Sequence, residues 1–332
     1  MTAIVPPVLA VARELVDPIL REAVARLDPV TAQVSGYHLG WTDASGRPSS
    51  AGGKALRPAL VLLSARAAGG DLEECAPAAA AVELVHAFSL LHDDIMDGDR
   101  MRRHRPAAWT VYGQAAAILA GDALLALAGE LLLERGHLAA AHSLNLTTRG
   151  LIAGQAMDLA FERRPDVSLD ECLWMAARKT GDLLACASSI GAMTAGGQAE
   201  MIAALAAFGA EAGLAFQLTD DLLGIWGSPL VTGKPVRADL RARKKSLPTV
   251  AALTSGSAAG ERLARLLDRP DPLSEEDLRE AARLVEEAGG RAWAETEAKH
   301  RLDTAGRHLA GMPADVREEL VDIARFITAR DH

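Results

Sequence analysis

The sequence predicts an all-α protein, a single-domain helical bundle spanning residues 1–332. Three observations carry that expectation. Apolar residues fill 49% of the positions while aromatics supply only 4%, and the balance is Ala and Leu, which favour helices over sheets. Helix-compatible apolar patterns succeed one another with few strand signals between them. No tandem repeat or low-complexity linker divides the chain, so one domain is the simplest account.

The elements follow in order. Val5 to Leu27 reads as an amphipathic helix opened by Pro6 and Pro7, which suit a first turn. Residues 28–53 are rich in Gly, Ser and Asp and read as a loop ending in AGGKALRP. Pro58 suits a second helix start, carried to Ala68. Glu73 to Asp97 is a helix with carboxylates at its end, and residues 98–109 read as a charged loop. Thr110 to Glu134 is apolar nearly all round, the mark of a helix buried in a bundle or a subunit interface. Leu138 to Glu162 is helical, and Ser168-x-x-Glu171 is a capping box opening a helix through Lys179 toward Met193. Met201 to Trp226 is a second Asp-bearing helix. Gly227 to Lys245 reads as one long loop, and loops of that length are more often functional than structural. From Leu247 onward, short helical patterns alternate with Gly and Pro breaks.

Composition excludes several classes. The net charge is −9 with no basic block, which argues against a nucleic-acid partner. Cys75, Cys172 and Cys186 are scattered, without a CxxC pair, as expected of reduced, buried thiols in a cytosolic protein. The N-terminus lacks a charged segment followed by a cleavable apolar core. The longest apolar stretch, Ile118 to Leu133, is interrupted by Asp122 and Glu130. A cytoplasmic protein with no membrane span is therefore expected.

The chemistry concentrates in LLHDDIMDGDRMRR, from Leu90 to Arg103. Asp93 and Asp97 stand four residues apart, so on a helix they share a face at a separation of roughly 6 Å. Like charges that close repel unless a cation lies between them. Hard oxygen donors without His or Cys favour Mg²⁺, which completes its shell with phosphate and water. Read alone, the stretch fits a metal clamp and a solvated acidic helix end equally well. A second pair, Asp220 and Asp221 in FQLTDDLLGIWG, favours the clamp. Two such helices facing each other would form a bowl of carboxylates around a polyphosphate.

These motifs resemble those of the trans-isoprenyl diphosphate synthases, all-helical enzymes that join isopentenyl diphosphate to an allylic diphosphate. GGKALRP at 52–58, the Asp stretch at 90–103, ILAGDALLALA at 118–128, KTG at 179–181, FQLTDD at 216–221 and TGKPVRADLRARKKSLP at 232–248 stand in family order. The resemblance implies a bundle around a central active-site cavity. It also implies Asp93 and Asp97 as ligands to two Mg²⁺ and Asp220 as ligand to a third, with Asp94 and Asp221 supporting. Arg102, Lys179, Lys234 and Lys244 would hold the allylic diphosphate, and Lys54, Arg57, His86 and Arg103 the isopentenyl diphosphate. Thr180 and Gln217 would face the developing allyl cation, while the released diphosphate takes the proton. A metal is required in that scheme: each carboxylate–phosphate charge pair at 4 Å costs about 4 kcal/mol at an effective dielectric of 20. On their own, Lys54 and Arg57 read as a solvated helix start and His86 as a hydrogen-bonded core residue.

The chain departs from the family pattern at four positions. Gly224 stands where the second motif usually ends in Asp, Ser228 where an acid precedes Pro, and Arg237 and His104 where Gly is usual. For product length, the resemblance points to the position five before Asp93, which is Phe88, followed by Ser89. Five residues span about 7.5 Å of helix, so a ring there blocks a short chain. Geranylgeranyl diphosphate (C20) is the expected product and farnesyl diphosphate (C15) the alternative. A terpene cyclase on the same fold and a non-catalytic partner subunit of a prenyl synthase are the remaining rivals. The family expectation is a homodimer.

Overall fold

The computed structural model describes residues 5–49, 51–229 and 235–329. Among the described residues the protein is all-α apart from one small hairpin and an isolated bridge between Thr42 and Pro48. The first helix, α1 (Val8–Val24), starts behind Pro7. α2 (Pro29–His38) lies inside the stretch expected to be loop. Asp28 caps it, accepting from the backbone N–H groups of Val30 and Thr31 at 3.1 Å, and Pro29 fills the first helical position. α3 (Leu56–Ala67) and α4 (Leu72–Met96) follow, the latter capped by Asp71.

The charged segment after α4 is also more ordered than expected. Met101–Arg102 (β1) pairs with Arg105–Pro106 (β2), and the turn residues Arg103 and His104 have φ of 50° and 61°. The expected 110–134 helix is two: α5 (Ala108–Tyr112) and α6 (Gln114–Glu134), separated at Gly113, whose φ is 89°. α7 (Leu138–Phe161) precedes α8 (Leu169–Ala176), which opens with the reciprocal Ser168–Glu171 capping box. A single π-helical turn, Ala177–Gly181, joins α8 to α9 (Asp182–Thr194). Then come α10 (Ala199–Trp226), the short α11 (Ala238–Arg241) within the predicted 227–245 loop, and α12 (Leu247–Leu253). α13 (Ala258–Leu267), α14 (Glu275–Glu287), α15 (Gly290–His308) and α16 (Ala314–Thr328) complete the order.

α9 is the hub. It packs against α3, α4, α7 and α10, so the two Asp-bearing helices α4 and α10 lie on either side of one element. Small residues make this possible. Gly191 of α9 brings its backbone against Val61 and Ala65 of α3, and Gly209 of α10 does the same against Leu184 and Ala185. Ala76 and Ala78–Ala81 of α4 are all buried. Close helix approach through Ala and Gly lets a core so poor in aromatics bury its helices against one another. α4, α6 and α10 are each long and apolar enough to cross a membrane by length and composition. In α6, Ile118, Leu119 and Leu133 are exposed on one side.

Candidate active site

The end of α4 turns one of its three carboxylates inward and keeps the other two near Lys179. Asp94 turns inward and is buried; the Nε and Nη2 of Arg102 reach its Oδ1 at 2.7 and 2.5 Å. Its other oxygen has no hydrogen-bond partner. Asp93 is half-buried, and Asp97, at the helix C-cap, is exposed. Lys179 Nζ stands 3.3 Å from Asp93 Oδ1 and 2.6 Å from Asp158 Oδ2 on α7. Burial opposes the Lys179 charge, but Asp93, Asp158 and Asp97 outweigh it and hold its pKa above the ordinary lysine value.

The π-turn delivers Lys179 and Thr180. Its widened backbone is gripped from two sides: Gly154 of α7 packs on the Lys179 backbone and Gly213 of α10 on Gly181. The helix is thus bulged at Lys179-Thr180-Gly181 rather than interrupted, as π-turns at functional positions often are. Thr180 Oγ1 donates to Gln217 Oε1 at 2.6 Å, and Gln217 Nε2 donates to Asp221 Oδ1 at 2.8 Å. The second oxygen of Asp221 accepts from the Leu247 N–H at 2.8 Å. Asp221 is therefore a buried strut between α10 and the start of α12, while Asp220 beside it is exposed.

Electrostatics tie the two acidic helices together. Although the Asp97 side chain reaches solvent, the protein crowded around it costs its charge hydration and, with the neighbouring Asp93, pushes the carboxyl up to about 6 against the pull of Lys179 and Lys244. Burial raises Asp221 to about 7, Asp239 adding to the shift while Lys244 opposes it. Burial likewise works against the Lys244 ammonium, yet Asp239, Asp158, Asp221 and Asp220 carry its pKa well above the usual lysine range. Lys244 thus acts on Asp97 of α4, Asp158 of α7 and Asp220 of α10. The two acidic walls converge on a pair of lysines.

A second cationic site lies behind the hairpin. A cavity of about 180 Å³ is lined by His38, Gly52, Gly53, Glu83, His86 and Arg103, among others. Arg57 adjoins it; burial lowers its pKa to about 10, so it stays charged at neutral pH, and its Nε has no partner. Burial, reinforced by Arg57 and Arg103, keeps His86 neutral, and burial with Arg103 and Arg102 lowers His38 to about 3. Glu83 is raised by burial and restrained by Arg57 and Arg103. Lys54, between the cavity-lining Gly53 and Ala55, lies 4.9 Å over the Phe326 ring. Lys234 falls outside the described residues.

Phe88 is buried one turn below Asp93 and meets the His92 ring edge-on at 4.9 Å. His92 Nε2 lies 3.1 Å from the Ile118 carbonyl and packs on Gly121, so both rings sit where α4 meets α6. Ser89 instead donates back to the His86 carbonyl at 2.9 Å.

Sequence reasoning missed Asp158, Gln155, Glu83 and His38. Gln155 is buried with both amide atoms unpartnered, three residues before Asp158. The polar pair in GQAMD, at 154–158 of an otherwise apolar helix, was the available signal, as was Glu83 three residues before His86.

Among the described residues, no three of His, Cys, Asp and Glu stand close enough to cage a metal. The donor set fits Mg²⁺ all the same. Asp93, Asp97 and Asp220 are hard oxygen donors around Lys179 and Lys244, and Mg²⁺ binds through one or two carboxylates plus substrate phosphate and water rather than a protein cage.

Comparison with known proteins shows the family. Residues 42–285 match the polyprenyl synthetase family model. The chain is 49% identical to a (2E,6E)-farnesyl diphosphate synthase of Mycobacterium tuberculosis, over 99% of this chain and 94% of that protein. It is 44% identical to a geranylgeranyl diphosphate synthase of the same organism, over 95% and 91%. A crystal structure of a polyprenyl synthetase from Streptomyces coelicolor superposes with a TM-score of 0.93 at 50% identity, covering 98% of this chain and 100% of that one. A geranylgeranyl pyrophosphate synthase from Corynebacterium glutamicum, complexed with isoprenyl diphosphate and magnesium, superposes at 0.83 with 26% identity, covering 99% and 100%. The chain belongs to the polyprenyl synthetase family.

Proposed function

We propose that this protein is a short-chain trans-prenyltransferase that condenses isopentenyl diphosphate with dimethylallyl, geranyl or farnesyl diphosphate. The observation that carries the reading is the pairing of two sites: acidic walls converging on Lys179 and Lys244, and a separate cationic cavity beside Arg57, His86 and Arg103. One diphosphate must leave and one must stay, so two differently built anion sites are what the reaction needs.

Asp93, Asp97 and Asp220 would hold Mg²⁺, three ions by family resemblance, with Asp94 and Asp221 bracing the walls. When bound, the ions neutralise the charge of the departing diphosphate, which lowers the barrier to allylic C–O cleavage. Lys179, Lys244, Lys234 and Arg102 gather on the same group as point charges and a guanidinium fork. Thr180 donates its proton to Gln217, so the Thr180 oxygen presents lone pairs toward the allyl cation. The double bond of isopentenyl diphosphate attacks that cation, held by Lys54, Arg57, neutral His86 and Arg103. The adduct loses a proton to the released diphosphate, and no side-chain base is needed.

The assigned product is geranylgeranyl diphosphate, with Phe88 as the floor and Ser89 beside it. The farnesyl product is the second reading, favoured by the similarity to the mycobacterial farnesyl diphosphate synthase. The exposed Ile118, Leu119 and Leu133 of α6 support a homodimer. Purified protein with isopentenyl and allylic diphosphates, with and without Mg²⁺, tests the proposal by mass spectrometry of the products. A prenyl diphosphate formed only with metal is expected. No product from the protein alone would transfer the assignment to a non-catalytic partner subunit, and hydrocarbon from geranylgeranyl diphosphate alone to a cyclase.

A further inference from the structure

Position 224 lies four residues after Asp220, on the same face of α10, as Asp97 does after Asp93 on α4. The first wall carries a carboxylate there and the second carries Gly224, which leaves the two walls unequal. The space over Gly224 is filled from elsewhere. A Cβ at position 224 would lie 2.9 Å from Asp239 Oδ1, and nearer still to the rest of that carboxyl group. Asp239 therefore rests directly on the α10 backbone, where a side chain of residue 224 would begin.

The segment carrying Asp239 is built to hold it there. Leu240, the next residue, is fully buried in the core cluster that also holds Ile225 of α10. Arg237 (φ 61°) and Arg243 (φ 54°) turn the chain on either side of α11. The Lys244 N–H closes the turn on the Asp239 carbonyl at 2.8 Å. One short closed turn thus presents Asp239 and Lys244 together to α10.

We propose that Asp239 supplies the carboxylate that α10 lacks at position 224, completing the second acidic wall of the diphosphate–metal site by a tertiary contact. The glycine is then a requirement of the site and not a defect in it. This inference rests on the prenyltransferase reading above. It has a counter-intuitive consequence, since adding an acid to α10 by Gly224→Asp displaces one already in place.

The test titrates Mn²⁺ as a paramagnetic probe, by electron paramagnetic resonance, in the presence of inorganic diphosphate. Gly224→Ala adds only a methyl group and is expected to weaken Mn²⁺ binding by about tenfold, in the range seen when a residue supporting a metal site is lost. Asp239→Asn keeps the shape, so misfolding does not explain a loss, and should weaken binding by a similar factor. In the double variant Gly224→Asp/Asp239→Ala the acid returns from α10 itself, and most of the affinity should return with it. A purely structural role for Asp239 would not show that rescue. Wild-type affinity in Gly224→Ala or Asp239→Asn, or tighter binding in Gly224→Asp alone, overturns the inference. Failure of the unaltered protein to bind Mn²⁺ with diphosphate would instead count against the prenyltransferase reading.

Discussion

Gly53 shows how much of the site depends on single side chains. A Cβ there would come within 2.9 Å of Arg103 Nη2 and 3.2 Å of its Cζ. The obstacle is the end of a flexible side chain, so Gly53→Ala should fold normally and push the guanidinium out of the cavity. The expected outcome is a KM for isopentenyl diphosphate raised by about tenfold, roughly 1.4 kcal/mol of binding, with the allylic KM unchanged. Equal changes in both constants would show that Arg103 does not serve one substrate. His38 titrates in the same cavity. Burial, with Arg103, Arg102 and Arg105, lowers it from 6.5 to about 3. Between those values the unfolded chain binds a proton that the folded chain does not. Stability therefore rises with pH through that window and is lost as pH falls, by at most about 1.4 kcal/mol per unit. His38→Gln should flatten the slope of stability against pH from 5 to 6.5, measured by urea unfolding; an unchanged slope would mean that His38 protonates freely. The aspartates of the two walls were legible because they cluster at helix spacing. Glu83 and Asp158 offered only a second polar residue nearby in an apolar helix, and His38 closes a short helix; none of the three carries a sign of what other elements bring to it.

At the level of elements, the long amphipathic and apolar helices were read within a few residues of their ends. The misses were short. α2 was hidden by the Ser- and Gly-rich stretch that follows it, although Asp28 and Pro29 together form a helix-start signal. The hairpin after α4 has only two residues per strand and no alternation to detect. The π-turn has no signature beyond Gly181. Structure does explain two departures from the family pattern. His104 and Arg237 occupy left-handed backbone, φ 61° at each, where the family's usual Gly adopts that conformation without a Cβ penalty. His104 is exposed, so His104→Gly should cost no contact and relieve that strain. A net gain of about 0.5–1 kcal/mol is expected once the greater unfolded-state freedom of Gly is subtracted. For a chain of this size that is a rise of about 1 °C in Tm. A lower Tm would show that the hairpin holds His104 by something other than backbone geometry.

Across the whole molecule, five segments of the chain meet at one charged centre, and the balance there predicts how the protein responds to ligands. Asp93 faces Lys179, Asp158 faces Lys179, and Lys244 lies among Asp97, Asp158, Asp220 and Asp239. Mg²⁺ alone must compete with these ammonium groups for the carboxylates. Diphosphate alone must approach the same carboxylates without a cation between them. Together each removes the other's obstacle, because the metal bridges carboxylate to phosphate while the lysines turn to the phosphate oxygens. Binding should therefore be cooperative, and only the combination should stabilise the fold appreciably. At a hundredfold excess over its Kd, the pair would add about 2.7 kcal/mol, a Tm increase of roughly 4 °C for a protein of this length. Thermal melts in EDTA, in Mg²⁺, in diphosphate and in both distinguish the cases. Full stabilisation by diphosphate in EDTA would mean that lysines and arginines hold it unaided. The acidic walls would then lie outside the binding site, and the convergence of α4 and α10 would need another explanation.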